Sequence, residues 1–208
     1  MARRKFLTPI FLPIYAFALV ILAGALALRL PACLMHENTL SFIDALFTAT
    51  SAVCVTGLTV VDTGGHFSRL GQSVILALIQ LGGLGIMTYT SLVLYLWRQH
   101  ITLTDRIAVG QHLLQDPGFR LGRFLLFMVV STVSIEVLGA FSLLALDPVG
   151  FDAFGALFHA VSAFCNAGFA LRPDNLVAWR GALGVNLVFM VLIVLGGLGF
   201  AVLGEAWG

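Results

Sequence analysis

The stretch "TSAVCVTGLTVVDT", Thr50 to Thr63, is a short apolar segment that breaks off at Gly57 and turns polar. A second stretch, "VSAFCNAGFALRPDN", Val161 to Asn175, does the same in the same kind of place. Aligned on their glycines, Leu46, Phe47, Ala49, Ser51, Ala52, Cys54 and Gly57 match Leu157, Phe158, Ala160, Ser162, Ala163, Cys165 and Gly168 at one constant spacing. After a three-residue difference in loop length, Leu81-Gly82-Gly83-Leu84-Gly85 matches Leu195-Gly196-Gly197-Leu198-Gly199. So many identities in order indicate an internal duplication. Matched interrupted segments in two halves of a transport protein are the sequence feature that points to its binding site.

Composition sets the environment of this repeat. The 208 residues are 60% hydrophobic with a mean hydropathy of +1.03, and only 10% are Asp, Glu, Lys or Arg. Soluble domains carry about 25% charged residues, so this reads as an integral membrane protein. A net charge of +1 and the lack of a basic stripe interleaved with aromatics give no reason to expect nucleic acid as a partner. Cys33, Cys54 and Cys165 lie far apart and fit neither a metal-binding CxxC nor a disulfide framework.

Four segments are long enough to cross a hydrocarbon core, which takes about 20 apolar residues: Ile10–Leu30, Ser73–Trp97, Phe124–Leu146 and Leu183–Val202. The first follows "MARRKF" and is read as a retained helix, because it exceeds a signal-peptide core and no small-residue cleavage site follows it. Between the first and second spans, and between the third and fourth, lie "SFIDALFTATSAVCV" and "FDAFGALFHAVSAFC", too short to span and therefore expected to be re-entrant or buried. Ser41 with Asp44, and Asp152, supply helix-start chemistry. The reading divides the chain into a first repeat (1–97), a cytoplasmic connector (98–123) and a second repeat (124–208). It is an all-α membrane fold of two helix, pore helix, helix units.

Placing the N-terminus in the cytoplasm puts Arg3, Arg4, Lys5, Arg98, Arg106, Arg120 and Arg123 inside, against Arg29, Arg69, Arg172 and Arg180 outside, which has the sign of the positive-inside rule. Both glycine loops then face outward among Glu37, Asp62, Asp147 and Asp174, acids that concentrate cations at the entrance. Irregular backbone at membrane depth is tolerated only where it is buried or lines a watery cavity. Carbonyls of such a loop can replace the water around a cation, with the helix C-terminus behind them adding partial negative charge. Neither loop carries Lys or Arg at its tip, so the physical reading is a cation-selective pore.

"FTATSAVCVTGLTVVDTGGHFSRLGQSVILALIQLGGLGIMTYT" and "FHAVSAFCNAGFALRPDNL" resemble the first and second pore loops of the Trk/Ktr/HKT potassium-transporter superfamily, closest to its Ktr-type membrane subunit. The resemblance covers nearly the whole chain. It implies a fold of four helix, pore helix, helix repeats around one path, with one filter glycine per repeat, in a prokaryotic cytoplasmic membrane. It implies potassium uptake down the electrochemical gradient, with sodium as an activator in some members and cytoplasmic nucleotide-binding regulatory subunits as partners. Carried over residue by residue, the filter falls on Val55, Thr56, Gly57 and Leu58, and on Asn166, Ala167, Gly168 and Phe169, whose backbone carbonyls would coordinate potassium. Related transporters that prefer sodium have serine for the first filter glycine, and Gly57 favours potassium.

The chain holds two of the four repeats, so the resemblance implies either a dimer or a full-length four-repeat subunit, and the alternative is a nonconducting partial or assembly subunit. The GGLG stretches read as small-residue helix-packing surfaces. Cys54 and Cys165 read as small residues behind the filter. Glu136, ionisable inside a span, is a candidate for ion contact or for packing against a polar partner. His159 reads as a packed or loop-bonded histidine. The spans show no GxSxG, HExxH or paired aspartates, so the chain is not read as an enzyme.

Overall fold

The computed structural model describes residues 12–35, 38–85 and 121–198. The N-terminal basic cluster, the second half of the second expected span, most of the connector and the end of the fourth expected span lie outside these residues. The described part is helical: α1 (Leu12–Leu28), α2 (Phe42–Val53), α3 (Thr63–His66), α4 (Arg69–Gly83), α5 (Leu121–Leu146), α6 (Ala153–Phe164) and α7 (Leu183–Leu198). Two 3₁₀ turns, Pro31–Cys33 and Val177–Trp179, and one isolated bridge between Leu34 and Phe67 complete it.

Local chemistry starts these helices. Ser41 Oγ accepts the Asp44 N–H at 3.1 Å and donates to the Asp44 carboxylate at 2.6 Å, and Asp152 accepts the Gly155 N–H at 3.0 Å, each satisfying a donor that the first helical turn leaves free. α4 begins at Arg69 rather than at Ser73, because Ser68 caps it by accepting the Gly71 N–H at 3.3 Å and the polar residues that follow still wind into the helix. α5 begins at Leu121 rather than Phe124. α7 begins at Leu183, as expected.

Each half folds as a unit of three helices: α1 packs on α2 and α4, and α5 packs on α6 and α7. The packing repeats in detail. A Cβ on Gly24 of α1 would lie 2.7 Å from Leu78 Cδ1 of α4, and a Cβ on Gly139 of α5 would lie 2.9 Å from Leu192 Cδ1 of α7. In both halves a glycine on the first long helix receives a leucine of the second. The halves meet where α4 packs on α6, and Phe158, Val161, Ala167 and Phe169 of the second half join the core built around Ala49, Ala52, Ile75 and Ile79 of the first.

The outward faces are apolar. Ile14, Leu19 and Leu26 on α1, Leu126, Leu138 and Phe141 on α5, and Leu187 and Val194 on α7 are all exposed. Such continuous apolar stripes are covered by lipid or protein in a native setting. Among the described residues Leu126–Leu146 is long and apolar enough to cross a membrane. Ile14–Leu28 and Leu183–Leu198 are apolar but shorter, and each adjoins residues outside the description.

Candidate functional site

The two short helices end in the same way. At the end of α2 the Cys54 N–H bonds to Thr50 O at 2.8 Å, Val55 N–H to Ala52 O at 3.2 Å and Thr56 N–H to Ser51 O at 3.0 Å. At the end of α6 the Cys165 N–H bonds to Val161 O at 2.9 Å, Asn166 N–H to Ala163 O at 3.0 Å and Ala167 N–H to Ser162 O at 2.8 Å. This is a Schellman arrangement, in which a left-handed residue past the helix end turns the chain back onto its last carbonyls. Val55 (φ 51°) and Asn166 (φ 58°) are those residues. Asn tolerates the left-handed region, whereas a β-branched valine is strained there by about 1–3 kcal/mol, a cost that clusters at functional sites.

Two residues further on, Gly57 and Gly168 are both left-handed, with φ 72°. Here the two loops touch. A Cβ on Gly57 would lie 2.5 Å from the Ala167 carbonyl oxygen and 3.1 Å from Gly168 Cα, and a Cβ on Gly168 would lie 3.5 Å from Gly57 Cα. All eight residues named from the sequence thus lie on two adjoining loops of like backbone conformation. Among the described residues no N–H or hydroxyl donates to the carbonyls of Val55, Thr56, Gly57, Leu58, Asn166, Ala167 or Gly168, while the Phe169 carbonyl accepts from Ser162 Oγ at 2.7 Å.

The helices behind the loops are held close by the GGLG stretches, whose expected packing role is visible. A Cβ on Gly82 would collide with the carbonyl of Val53, and one on Gly196 with the carbonyl of Phe164, the last residue of α2 and of α6 respectively. Gly83 receives Cys165 Sγ from the other half. Cys165 is half-buried and Cys54 is exposed, and no cluster of His, Cys, Asp or Glu suited to a metal occurs among the described residues. Glu136 is buried, and Cys165 Sγ lies 4.0 Å from its Oε1.

Outside the glycines lies a cavity of about 320 Å³ lined by Gly57, Gly168, Thr59, Asp62, Ala170 and Arg172. Asp62 spends its carboxylate on capping α3, accepting from Gly65 N–H at 2.8 Å and Gly64 N–H at 3.4 Å. The Arg172 guanidinium is drawn over the Trp179 ring, 4.8 Å from its centroid. Trp179 Nε1–H in turn donates to Asp147 Oδ2 at 2.7 Å, and this bond, with that from the Gly150 N–H, holds the Asp147 carboxyl below its ordinary range. Arg69 pairs with Asp152 at 2.7 Å across the two halves, with both side chains more than half exposed. At such exposure the pair contributes about 1 kcal/mol at most.

His159 is buried in α6 with Phe151, Phe158, Trp179 and Phe189 around its ring. Its Nδ1 lies 2.7 Å from Gly155 O and its Nε2 accepts the Leu171 N–H at 3.4 Å. The histidine is therefore both packed and loop-bonded.

A duplicated pair of glycine loops at the ends of capped short helices, on an apolar helical frame, fits a membrane protein. Residues 11–207 match TrkH, a family of cation transport proteins, and the chain belongs to that family. It is a membrane protein of the Trk/Ktr type. It is 44% identical over 191 residues to Ktr system potassium uptake protein B of Bacillus subtilis, covering 90% of this chain and 42% of that protein. It is 39% identical over 206 residues to the potassium/sodium uptake protein NtpJ of Enterococcus hirae, covering 96% of this chain and 45% of that one. Ktr system potassium uptake protein B of Vibrio alginolyticus is 39% identical over 197 residues, with 92% and 43% covered. The chain thus spans less than half the length of these relatives.

Proposed function

We propose that this chain forms part of a multi-pass potassium-uptake pore in a prokaryotic cytoplasmic membrane, with its N-terminus inside and with α2 and α6 as re-entrant pore helices. The observation that carries this reading is the set of carbonyls at Val55–Leu58 and Asn166–Gly168 that no donor among the described residues reaches, on two touching loops between apolar helices. An unsatisfied polar group in hydrocarbon costs several kcal/mol. A dehydrated potassium ion, attended by water at the outer cavity, satisfies these oxygens and is in turn satisfied by them. The names of the relatives support potassium as the cargo, and that of NtpJ names sodium beside it; on this reading sodium serves as an activator.

Two loops present oxygens from only part of a ring. The pore is therefore completed in a four-repeat assembly, through a dimer or a longer subunit, and a nucleotide-binding regulatory subunit docks on its cytoplasmic side. Because the chain matches under half of each relative, a second reading has its own support: alone, the chain is a nonconducting partial or assembly subunit. Purified chain sized by light scattering and reconstituted into liposomes separates the two. Potassium-selective flux from a demonstrated monomer refutes the four-repeat requirement, and absence of flux from dimer and four-repeat forms alike refutes the pore.

A further inference from the structure

The second glycine loop is tied to its helix by two polar side chains, and the first loop lacks one of these ties. His159 and Ser162 are three residues apart on α6 and so share a face. Ser162 Oγ–H donates to Phe169 O at 2.7 Å, and His159 Nε2 lies 3.4 Å from the Leu171 N. The other ring nitrogen, Nδ1, lies 2.7 Å from the Gly155 carbonyl, which can only accept. Nδ1 therefore carries the proton, and Nε2 keeps the lone pair that receives Leu171.

Ala167 and Phe169 pack into the core, but one side of the loop is open. A cavity of about 180 Å³ flanks it there, lined by His159, Ser162, Asn166, Phe169, Phe189 and Ile193 among others. In the first half the matching position is Thr48, whose hydroxyl bonds within its own helix to Asp44 O at 2.8 Å. Ser51, which matches Ser162, accepts from the Thr56 hydroxyl at 3.0 Å instead. The first loop is thus tied at Thr56, inside the glycine stretch, and the second downstream of it, at Phe169 and Leu171.

We propose that His159 is a positioning residue for the permeation path: its Nε2 lone pair fixes where the chain leaves the second filter loop, and so sets the spacing of the carbonyls from Asn166 to Gly168 around the ion. This rests on the filter reading above. The side chain itself touches no ion. It sets how far the loop can shift toward the flanking cavity, and therefore how well the site discriminates between cations of different radius.

The test is competition of sodium with potassium uptake by the complete transporter, with protein abundance and thermal stability measured on the same preparations. His159→Asn retains a donor for Gly155 and removes the acceptor for Leu171. It is expected to lower potassium-over-sodium selectivity about two- to tenfold, the worth of one hydrogen bond. His159→Gln places an acceptor near the Nε2 position and is expected to stay within about twofold of wild type on the same scale. His159→Phe fills the aromatic pocket without either polar atom and is expected to follow His159→Asn, which keeps the test open if the asparagine variant does not accumulate. Wild-type selectivity in His159→Asn or His159→Phe overturns the proposal, as does an equal loss in His159→Gln. Gly57→Ser is run alongside. If it too leaves selectivity unchanged, the filter reading has failed, whereas a shifted Gly57→Ser beside an unshifted His159→Asn overturns the role of His159 alone.

Discussion

Gly57 and Gly168 have the same φ of 72° and occupy matching places in the duplication, yet the structure predicts different penalties for giving each a side chain. Any L-residue in the left-handed region costs about 1–2 kcal/mol, and this term is common to both. The space differs. A Cβ on Gly57 meets the Ala167 carbonyl oxygen at 2.5 Å and Gly168 backbone atoms at 3.1 and 3.3 Å, whereas a Cβ on Gly168 meets nothing nearer than Gly57 Cα at 3.5 Å. Backbone atoms cannot rotate away as the end of a side chain can. Overpacking of this kind costs about 1–3 kcal/mol more. Gly57→Ala in this chain should therefore destabilise by about 2–5 kcal/mol and Gly168→Ala by about 1–2 kcal/mol. Thermal unfolding of the two variants in one detergent, followed by tryptophan fluorescence, gives the order directly. In ion competition on the complete transporter, Gly57→Ser should also lower potassium preference over sodium, because the displaced Ala167 carbonyl belongs to the proposed filter. Equal melting temperatures for the two alanine variants, or a lower one for Gly168→Ala, would refute the argument from contact geometry.

Gly82→Ala and Gly196→Ala should each lower the melting temperature, by an overpacking cost of about 1–3 kcal/mol, since their new methyl groups meet the last carbonyls of α2 and α6. Gly181→Ala, with nothing among the described residues within 4 Å of its Cβ, is the control for both and should leave the melting temperature unchanged. The Asp147 carboxyl is held below its ordinary range chiefly by the Trp179 indole, so the stabilisation it brings is complete above that range and is lost as the pH falls through the folded-state value. A melting-temperature profile into acid should therefore fall less steeply for Asp147→Asn than for wild type, and identical profiles would contradict the bond. If, as proposed, a regulatory subunit docks on the cytoplasmic side, and does so through the connector at 98–123, charge reversal of Arg106 and Arg120 should weaken its pull-down and the nucleotide dependence of flux, and intact binding would rule out docking on that connector.

The parts of the fold written in local chemistry were legible in the sequence. Ser41 and Asp152 announce α2 and α6 as helix caps, and the matched glycines place the loops that follow. The start of α4 was not legible from hydropathy, because Ser68 caps a turn whose residues Arg69 and Gln72 are polar. The left-handed Val55 was also hidden. A valine gives no warning of a positive φ, and the conformation shows only once the Schellman hydrogen bonds around it are seen. The pairing of Gly24 with Leu78 and of Gly139 with Leu192 joins residues more than fifty positions apart, beyond the reach of any local pattern. The same holds for the bond from Leu171 to His159, which only the return of the loop onto α6 creates.

The contacts between the two halves carry the duplication a step further. The first half offers the second a surface made of its glycine loop and α4: Gly57 faces the Ala167 carbonyl, Gly64 faces the Leu171 carbonyl, and Gly83 receives Cys165 Sγ. Each is a glycine pressed by an atom of the other half. The second half carries the counterparts of that surface. Gly168 is the counterpart of Gly57, and Gly197, the counterpart of Gly83, meets among the described residues only Asn166 Nδ2 of its own half, at 4.0 Å. If the relation between the halves is repeated, the place filled at Gly83 by Cys165 is filled at Gly197 by the corresponding residue of a further repeat. The small side that Gly197 presents, beside the exposed apolar face of α7, is then the lining of an interface of the kind already seen between α4 and α6. On the proposed reading, the rule that joins the first repeat to the second is the rule by which the ring of carbonyls is continued.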